Sequence, residues 1–400
     1  MKVLLLTQVL PYPPDSGPKV KTYHVLKYLT EQHDVTLVSF VRESDKPEYI
    51  QHLEMLCQRV ITVPMKRAKF RDLGYLGQSI VSGQPWMIVR DERPEMRRVL
   101  TDLAAGESFD VVHADQLNMA QYALALPFTD ARKVLDLHNA LWMLYKRLSE
   151  TSTASDPTKY ILKRDWRLLK RYEGEMCRTF DAVTAVTDDD RILLQEAGAP
   201  DNITVIPIAV DTQKQQFLNR NPSGPHIVHI GTMYWPPNID GINWFLEDIY
   251  PLIKLHLPDV RCTLIGSRPP ESILRHSTAD RTITVTGYVE DPLPFLEDSG
   301  MMIVPLRAGG GMRVKILNAL AQGLPMVSTT IGCEGIRVEH ERDILIADQA
   351  QDFADACVRL LTDYDLNQRL SKAGRATAEH YYDYHQACRV LDNVYAGQKA

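Results

Sequence analysis

Short apolar runs alternate with helix-period segments along nearly the whole chain. No other feature restricts its fold so strongly, because strands separated by helices build parallel sheets. The apolar runs fall at 3–6, 35–40, 60–63, 111–113, 134–137, 182–186 and 204–206, with helical periodicity between them, over 20–30 and 166–178 for example. Periodicity lapses at 211–225, where Gln, Asn, Pro and Gly dominate, and this predicts a linker. The alternation restarts at 227–230, 261–265, 283–286, 301–304 and 326–328, with helices predicted over 239–255 and 353–363. Two successive α/β series predict two Rossmann-like domains, an amino-terminal one over 1–212 and a second over 213–374. An aromatic-rich helix over 375–400 is expected to pack back across their junction. Ligands of such sheets sit at the carboxyl ends of the strands, so the crevice between the domains is the expected site.

Composition narrows the function classes. At 400 residues the chain exceeds one typical core. A net charge of -6 and a pI near 6.1, with no nucleic-acid-binding motif, argue against DNA or RNA partners. The six cysteines are scattered and form no Cys-x-x-Cys pair, which fits reduced thiols rather than a disulfide framework or a zinc site. The amino-terminal apolar run is interrupted by Thr7-Gln8 and ended by Pro11, too short for a signal peptide or a bilayer span. The expected location is cytoplasmic, either free or peripheral on the inner face of the membrane.

Residues 309–328 carry the most functional information. Gly309-Gly310-Gly311 bares backbone just before a helix marked by Val314, Leu317, Leu320 and Ala321, and Gly323-Leu324-Pro325 stops that helix. Exposed amides at the positive end of a helix suit an anion, most often phosphate. Arg313 and Lys315 add positive charge where the macrodipole opposes it, so an external anion explains them better than local stability does. A glycine-rich turn with two solvated bases is the plainer alternative. Residues two apart on a helix point to nearly opposite faces. Both bases therefore reach one diphosphate only if Arg313 still lies in the loop, and Arg313 is the stronger candidate.

This segment resembles glycosyltransferase family 4, the retaining, nucleotide-sugar-dependent enzymes of the GT-B fold, in the subgroup with Gly-Gly-Gly followed by Arg and Lys. Other blocks carry the resemblance along essentially the whole chain. They are the loop ending in Gly17, the strand leading to His138-Asn139, Gly231-Thr232 with the residues up to Asn238, Leu264-Ile265-Gly266, Gly287-Tyr288, and Gly323 to Thr329. The resemblance implies an α/β GT-B chain, two Rossmann-like domains facing each other across a deep cleft. It also implies transfer of a hexose from a nucleoside-diphosphate sugar to an acceptor hydroxyl, with no metal or other cofactor. His138, Arg313 and Lys315 are the implied catalytic residues. Gly17, Gly231, Thr232, Gly287 and Tyr288 are implied on the donor, together with Gly309, Gly310, Gly311 and Met312. One departure stands out. The family's two glutamates, seven residues apart, are here Gly310 and Asn318. Asn318 retains a hydrogen bond for a ribose hydroxyl, and Glu334, after the next strand, is the candidate to replace the carboxylate missing at 310.

Without a metal, fixed amides and cations must stabilise the departing diphosphate. Lys19 and Lys21, just beyond Gly17, offer further charge from the first domain. His138 is expected to hydrogen-bond a sugar hydroxyl, the alternative being a partly buried loop histidine. Asp115, Asn139 and Lys19 are acceptor-side candidates. Asp188-Asp189-Asp190 matches an Asp-x-Asp metal pattern, but acid in the first turn of a helix capped by Thr187 explains it fully. Two basic clusters, one over 163–171 and one formed by Arg90, Arg93, Arg97 and Arg98, are either solvated helix faces or a surface for anionic lipid headgroups. The second option suits a lipid-linked acceptor, and a glycan is the other acceptor class. A non-catalytic nucleotide-sugar-binding protein and another GT-B enzyme, such as a nucleotide-sugar epimerase, remain the competing readings. A dinucleotide-dependent dehydrogenase is disfavoured because the first βα turn lacks Gly-x-Gly-x-x-Gly.

Overall fold

Leu4, Leu5 and Leu6 are wholly buried, as apolar runs covered by helices on both faces must be, and they form the centre of the first of two parallel sheets. The computed structural model describes residues 1–65, 69–128, 130–151 and 158–398. Its first sheet comprises β1 (Lys2–Thr7), β2 (Asp34–Val41), β3 (Arg59–Pro64), β4 (Val111–Asp115), β5 (Arg132–Asp136), β6 (Ala182–Ala185) and β7 (Thr204–Val205). Their order is β3-β2-β1-β4-β5-β6-β7, with Leu5 in register with Leu37 on one side and His113 on the other. The second sheet comprises β8 (His226–Ile230), β9 (Arg261–Ile265), β10 (Ile283–Gly287), β11 (Met301–Val304), β12 (Met326–Ser328) and β13 (Leu345–Ile346), ordered β10-β9-β8-β11-β12-β13.

Both orders reverse direction once, between β1 and β4 and between β8 and β11. Ligand crevices of open α/β sheets open at such switch points. The carboxyl ends there carry Thr7 and Asp115 in the first sheet, and Ile230 and Val304 in the second.

The chain divides into a unit of Met1–Ala209 with Ala387–Ala400 and a unit of Val210–Gln386. The carboxyl-terminal helix Val390–Ala396 is fixed within the first unit. Tyr395 Oη lies 2.7 Å from His113 Nδ1, Tyr28 donates to Asp392 at 2.9 Å, and Arg132 donates to the Val394 carbonyl at 2.6 Å.

Three expectations about elements need correction. The helix predicted over 239–255 is three pieces: Pro236–Trp244, a π-helical turn Phe245–Ile249, and Tyr250–His256. Pro251 has no N–H to donate and its ring crowds the preceding turn, so the helix widens just ahead of it. The helix expected over 375–400 is likewise broken, because Asp383 is extended (ψ 135°) between Ala378–Tyr382 and Tyr384–Cys388 and bridges to Val210. Residues 399–400 lie outside the described residues. Finally, the polar run 211–225 is no free linker. Arg375 donates to the carbonyls of Gln215 (2.5 Å) and Thr212 (2.8 Å), and Leu218 N–H bonds the Gln322 carbonyl at 2.9 Å. Its aperiodic sequence hides a segment packed through its backbone.

Candidate functional site

In the second unit the helix Val314–Ala321 begins directly after the glycine loop, with Arg313 at its N-cap in an extended conformation (φ -93°, ψ 98°). Arg313 therefore stays in the loop, the condition under which it and Lys315 can serve one anion. Its guanidinium is 93% buried and folds back, donating through Nη1 to the Gly310 carbonyl at 2.5 Å and to the Gly311 carbonyl. Nε and Nη2 remain buried without a hydrogen-bond partner among the described residues. Such groups are costly unless something satisfies them. Gly309 and Trp235 cover them: a Cβ at Gly309 (φ +117°) would lie 3.1 Å from both Arg313 Nη2 and the Trp235 ring. Burial pushes the guanidinium down from its ordinary value, while the nearby Glu334 carboxylate pulls it up. Glu334 Oε2 is itself buried and unpartnered.

Lys315 does not point away from this site, as helical spacing alone suggested. Its Nζ lies 3.3 Å from Asn238 Oδ1, and Asn238 in turn donates to the Thr232 carbonyl at 2.8 Å. A Cβ on Gly231 would stand 3.0 Å from Lys315 Nζ and 3.1 Å from His229 Nε2. Glycine there lets the lysine reach the carboxyl end of β8. Burial first, and then Arg313, push the Lys315 ammonium down to about 7. His229, buried in β8, accepts or donates through Nδ1 to the Ile303 carbonyl at 3.1 Å, a carbonyl that can only accept, so Nδ1 carries the proton and Nε2 is an unpartnered acceptor. Burial and the adjacent Lys315 hold its imidazole well below the usual range.

Lys315 and Asn318 line a cavity of about 590 Å³ within the second unit, with Ile230, Leu293, Asp291 and Lys214 among its other walls. That volume lies in the range of small-molecule sites. Gly287 (φ +73°) ends β10 and Tyr288 beside it is exposed, as are Thr232 and Gly309 to Gly311. Met312 is buried.

In the first unit His138 lies two residues past β5. Its Nε2 lies 2.9 Å from Asp115 Oδ1 at the end of β4. A carboxylate beside Nε2 fixes the proton there, so Nδ1, buried and unpartnered, presents a lone pair. Thr22 also donates to Asp115, at 3.0 Å. Next to it Gln116 adopts φ +70°, the kind of strain that gathers at functional sites. The loop beyond His138 is held from below: Asp190 Oδ1 accepts from Ala140 N–H at 3.1 Å, and Glu173 accepts from Leu141 and Trp142 N–H, both at 2.8 Å. Burial pushes Glu173 up to about 8 and raises Asp190 as well. Asn139 is half-buried in this loop.

Gly17 opens the helix Gly17–Thr30, and Lys19 pairs with Asp15 at 3.3 Å. Lys21, expected to offer charge to an anion, is instead buried and bound to Asp136 at 2.5 Å. Burial alone would raise Asp136, but Lys21 and His113 hold it well below the usual carboxylate range. Asp115, Asp136 and His138 are the only such trio among the described residues, with donor atoms within 4.8 Å of one another. The Lys21 ammonium occupies the position a divalent cation would need on Asp136, so the donor set does not suit a metal. At Asp188–Asp190 the structure has a helix cap: Thr187 Oγ1 accepts from Asp190 N–H at 3.0 Å, and Asp188 pairs with Arg191 at 2.9 Å. Of the second basic cluster, Arg93 is buried against Tyr75 Oη at 2.7 Å, Arg90 pairs with Asp91 and Arg97 with Glu92. It forms no free cationic surface.

Trp235, Asn238, His229, Gln116 and Glu173 belong to these clusters although sequence reasoning gave them no role. Pro236-Pro237 ahead of Asn238 marked a helix start, but nothing in the sequence pairs Asn238 with Lys315 across 77 positions.

The sequence matches the family described as Glycosyltransferase Family 4 over residues 16–214 and the one described as Glycosyl transferases group 1 over residues 224–363. A Klebsiella pneumoniae protein described as an uncharacterized 44.6 kDa protein in the cps region is 22% identical over 367 residues, covering 88% of this chain and 89% of that one. The fold is similar to that of Anabaena HepE in complex with UDP (TM-score 0.68, 14% identity, 99% and 100% of the two chains). It is also similar to sucrose-phosphate synthase from Thermosynechococcus elongatus (TM-score 0.70, 14% identity, 99% and 98%). S. aureus TarM shares it as well (TM-score 0.68, 12% identity, 98% and 99%).

Proposed function

We propose that this chain, which belongs to the glycosyltransferases of the family 4/group 1 type with a GT-B fold, moves a hexose from a nucleoside-diphosphate sugar to an acceptor hydroxyl, with retention and without a metal ion. The observation that carries this reading is Arg313. Two of its N–H-bearing nitrogens are buried and unpaired at a helix amino terminus, beside a second cation, Lys315, on the wall of a ligand-sized cavity. A diphosphate satisfies all of these groups at once.

In this reading Arg313, Lys315 and the helix end stabilise the charge that builds on the diphosphate as the sugar's C1–O bond breaks. Asn318 takes a ribose hydroxyl, and Gly287 and Tyr288 flank the base. Gly309 to Gly311 and Met312 face the sugar, with Glu334 supplying the carboxylate that Gly310 lacks. The glycine loop must turn outward for the anion to reach Arg313 Nη2, a movement that positive-φ glycines at 309 and 311 allow. Gly231 and Thr232 shape the turn that receives Lys315. In the first unit His138 Nδ1, oriented by Asp115, accepts from a substrate hydroxyl, with Asn139, Lys19 and Gly17 around it. Incubation with a pool of nucleotide sugars tests the reading. Release of free nucleoside diphosphate supports transfer, whereas binding without release favours a sensor or partner subunit.

A further inference from the structure

Among the described residues no helix is long and apolar enough to cross a membrane. One group of helices in the first unit nevertheless leaves large apolar side chains in solvent. They are Lys69–Ser82, Leu141–Thr151 and Thr158–Thr179. Val81 is 90% exposed, Ile80 62% and Tyr160 71%, while Leu144 and Leu148 are 43% and 44% exposed. Leu144 and Leu148 are four apart, on one face of their helix. Single exposed hydrophobics are ordinary; five on adjoining helices are not.

The three helices are fastened side by side. Arg164 donates to the Ser79 carbonyl at 2.7 Å, and Arg171 to the Gly83 carbonyl at 3.2 Å. On the opposite side of the long helix, Lys170 Nζ sits 4.2 Å over the Trp142 ring. Between these two contacts runs the solvent stripe of Thr158–Thr179, at positions 160, 163, 167 and 171. It reads Tyr160, Lys163, Arg167, Arg171, and the first acid on it is Glu175. The one carboxylate inside that stretch, Asp165, is buried and accepts from Trp86 N–H and Arg164. A cationic, acid-free stripe flanked by exposed Leu, Ile and Val is the surface an interfacial helix presents to a bilayer.

We propose that this three-helix face docks the protein on an anionic lipid surface. Lys163, Arg167 and Arg171 meet the headgroups, and Val81, Leu144 and Leu148 enter the acyl boundary. The Leu141–Thr151 helix starts three residues after His138. If the transferase reading holds, on which this extension rests, the docked face places His138 within reach of an acceptor that keeps a lipid anchor in the membrane. Docking itself does not depend on that reading.

Flotation of the full chain with phosphatidylcholine vesicles, with and without phosphatidylglycerol, tests the proposal. The protein is expected to float with the anionic vesicles, to be released by salt and to ignore phosphatidylcholine alone. Each basic residue at an anionic surface contributes about 1 kcal/mol. Replacing Lys163, Arg167 and Arg171 together by Gln should therefore lower partitioning roughly 100-fold. Val81→Ser with Leu148→Ser should weaken it as well. Both variants should keep the wild-type thermal shift with nucleoside diphosphate, which shows that the fold and the other unit are intact. A chain that docks yet binds no nucleoside diphosphate refutes the transferase reading and supports the docking face. No flotation, or flotation that survives both sets of substitutions, overturns the proposal.

Discussion

Lys315 Nζ lies 3.3 Å from Asn238 Oδ1, so a cation carried by the helix after the glycine loop is held over the carboxyl end of β8. Two segments far apart in sequence thereby make one basic site with Arg313.

The first prediction follows from that enclosure. Lys315 is held down to about 7 in the free protein, and an anion against it raises it again. Nucleoside-diphosphate binding should then take up a proton above pH 7, and affinity should fall by up to about tenfold per pH unit. Calorimetry in two buffers of different ionisation enthalpy reads this uptake directly, and Lys315→Ala should abolish it. In the free chain the same depression means the folded state binds fewer protons than the unfolded one between pH 7 and 10.5. This lysine's contribution therefore makes stability rise with pH across that window.

A second prediction concerns His138 and Asp115. Asp115 fixes the His138 tautomer from 2.9 Å. Asp115→Asn lets the ring take the other tautomer and removes a charge-assisted bond, a loss of roughly 1.5–3 kcal/mol, or about 10- to 100-fold in kcat. Donor binding measured by calorimetry should be unchanged, since neither residue is assigned to the nucleotide. A variant with full kcat removes Asp115 from the mechanism.

Glu173 gives a third. Its carboxylate satisfies the amides of Leu141 and Trp142, yet burial raises it to about 8. The folded state therefore holds an extra proton between the ordinary glutamate value of 4.5 and about 8, and this group's contribution to stability declines as pH rises through that window. Glu173→Gln should flatten that decline in denaturation profiles. Glu173→Ala should leave two buried amides unpaired and cost about 1–3 kcal/mol for each.

A fourth concerns metal. Arg313, Lys315 and backbone amides take the place of a divalent cation in the proposed chemistry. Activity should persist in EDTA and gain nothing from Mg²⁺ or Mn²⁺. Loss with chelator, restored by Mn²⁺, returns the acidic groups at Asp188–Asp190 and around Asp136 to consideration.

How much of this was legible in the sequence differs between backbone and site. Parallel strands buried on both faces are continuous apolar runs, so β9, β11 and β12 match their predicted bounds. β13 escaped notice because two residues, Leu345 and Ile346, carry no period. The glycine loop was legible because three glycines before a helix leave little else for the backbone to be. What Arg313 and Lys315 touch was not. Helical spacing sends Lys315 away from Arg313, and only the absence of a Cβ at Gly231 lets it turn toward Asn238. Lys21 misled for the opposite reason. Charge near a glycine turn suggests an anion, whereas its position on the buried face of Gly17–Thr30 commits it to Asp136. The amide contacts of Glu173 and Asp190 join residues 31 to 50 positions apart and leave no local pattern.

The central claim is that Arg313 and Lys315 hold a nucleoside diphosphate, and binding of UDP, GDP, ADP and dTDP to wild type and to Arg313→Ala tests it most directly. At least one nucleotide should stabilise the wild type, by about 2.7 kcal/mol at a concentration 100 times its Kd. The same nucleotide should bind Arg313→Ala roughly 10- to 100-fold more weakly, and Arg313→Lys should recover only part of the loss, since a point charge does not reproduce the guanidinium fork. If none of the four stabilises the protein, or if Arg313→Ala binds as tightly as wild type, the account is contradicted.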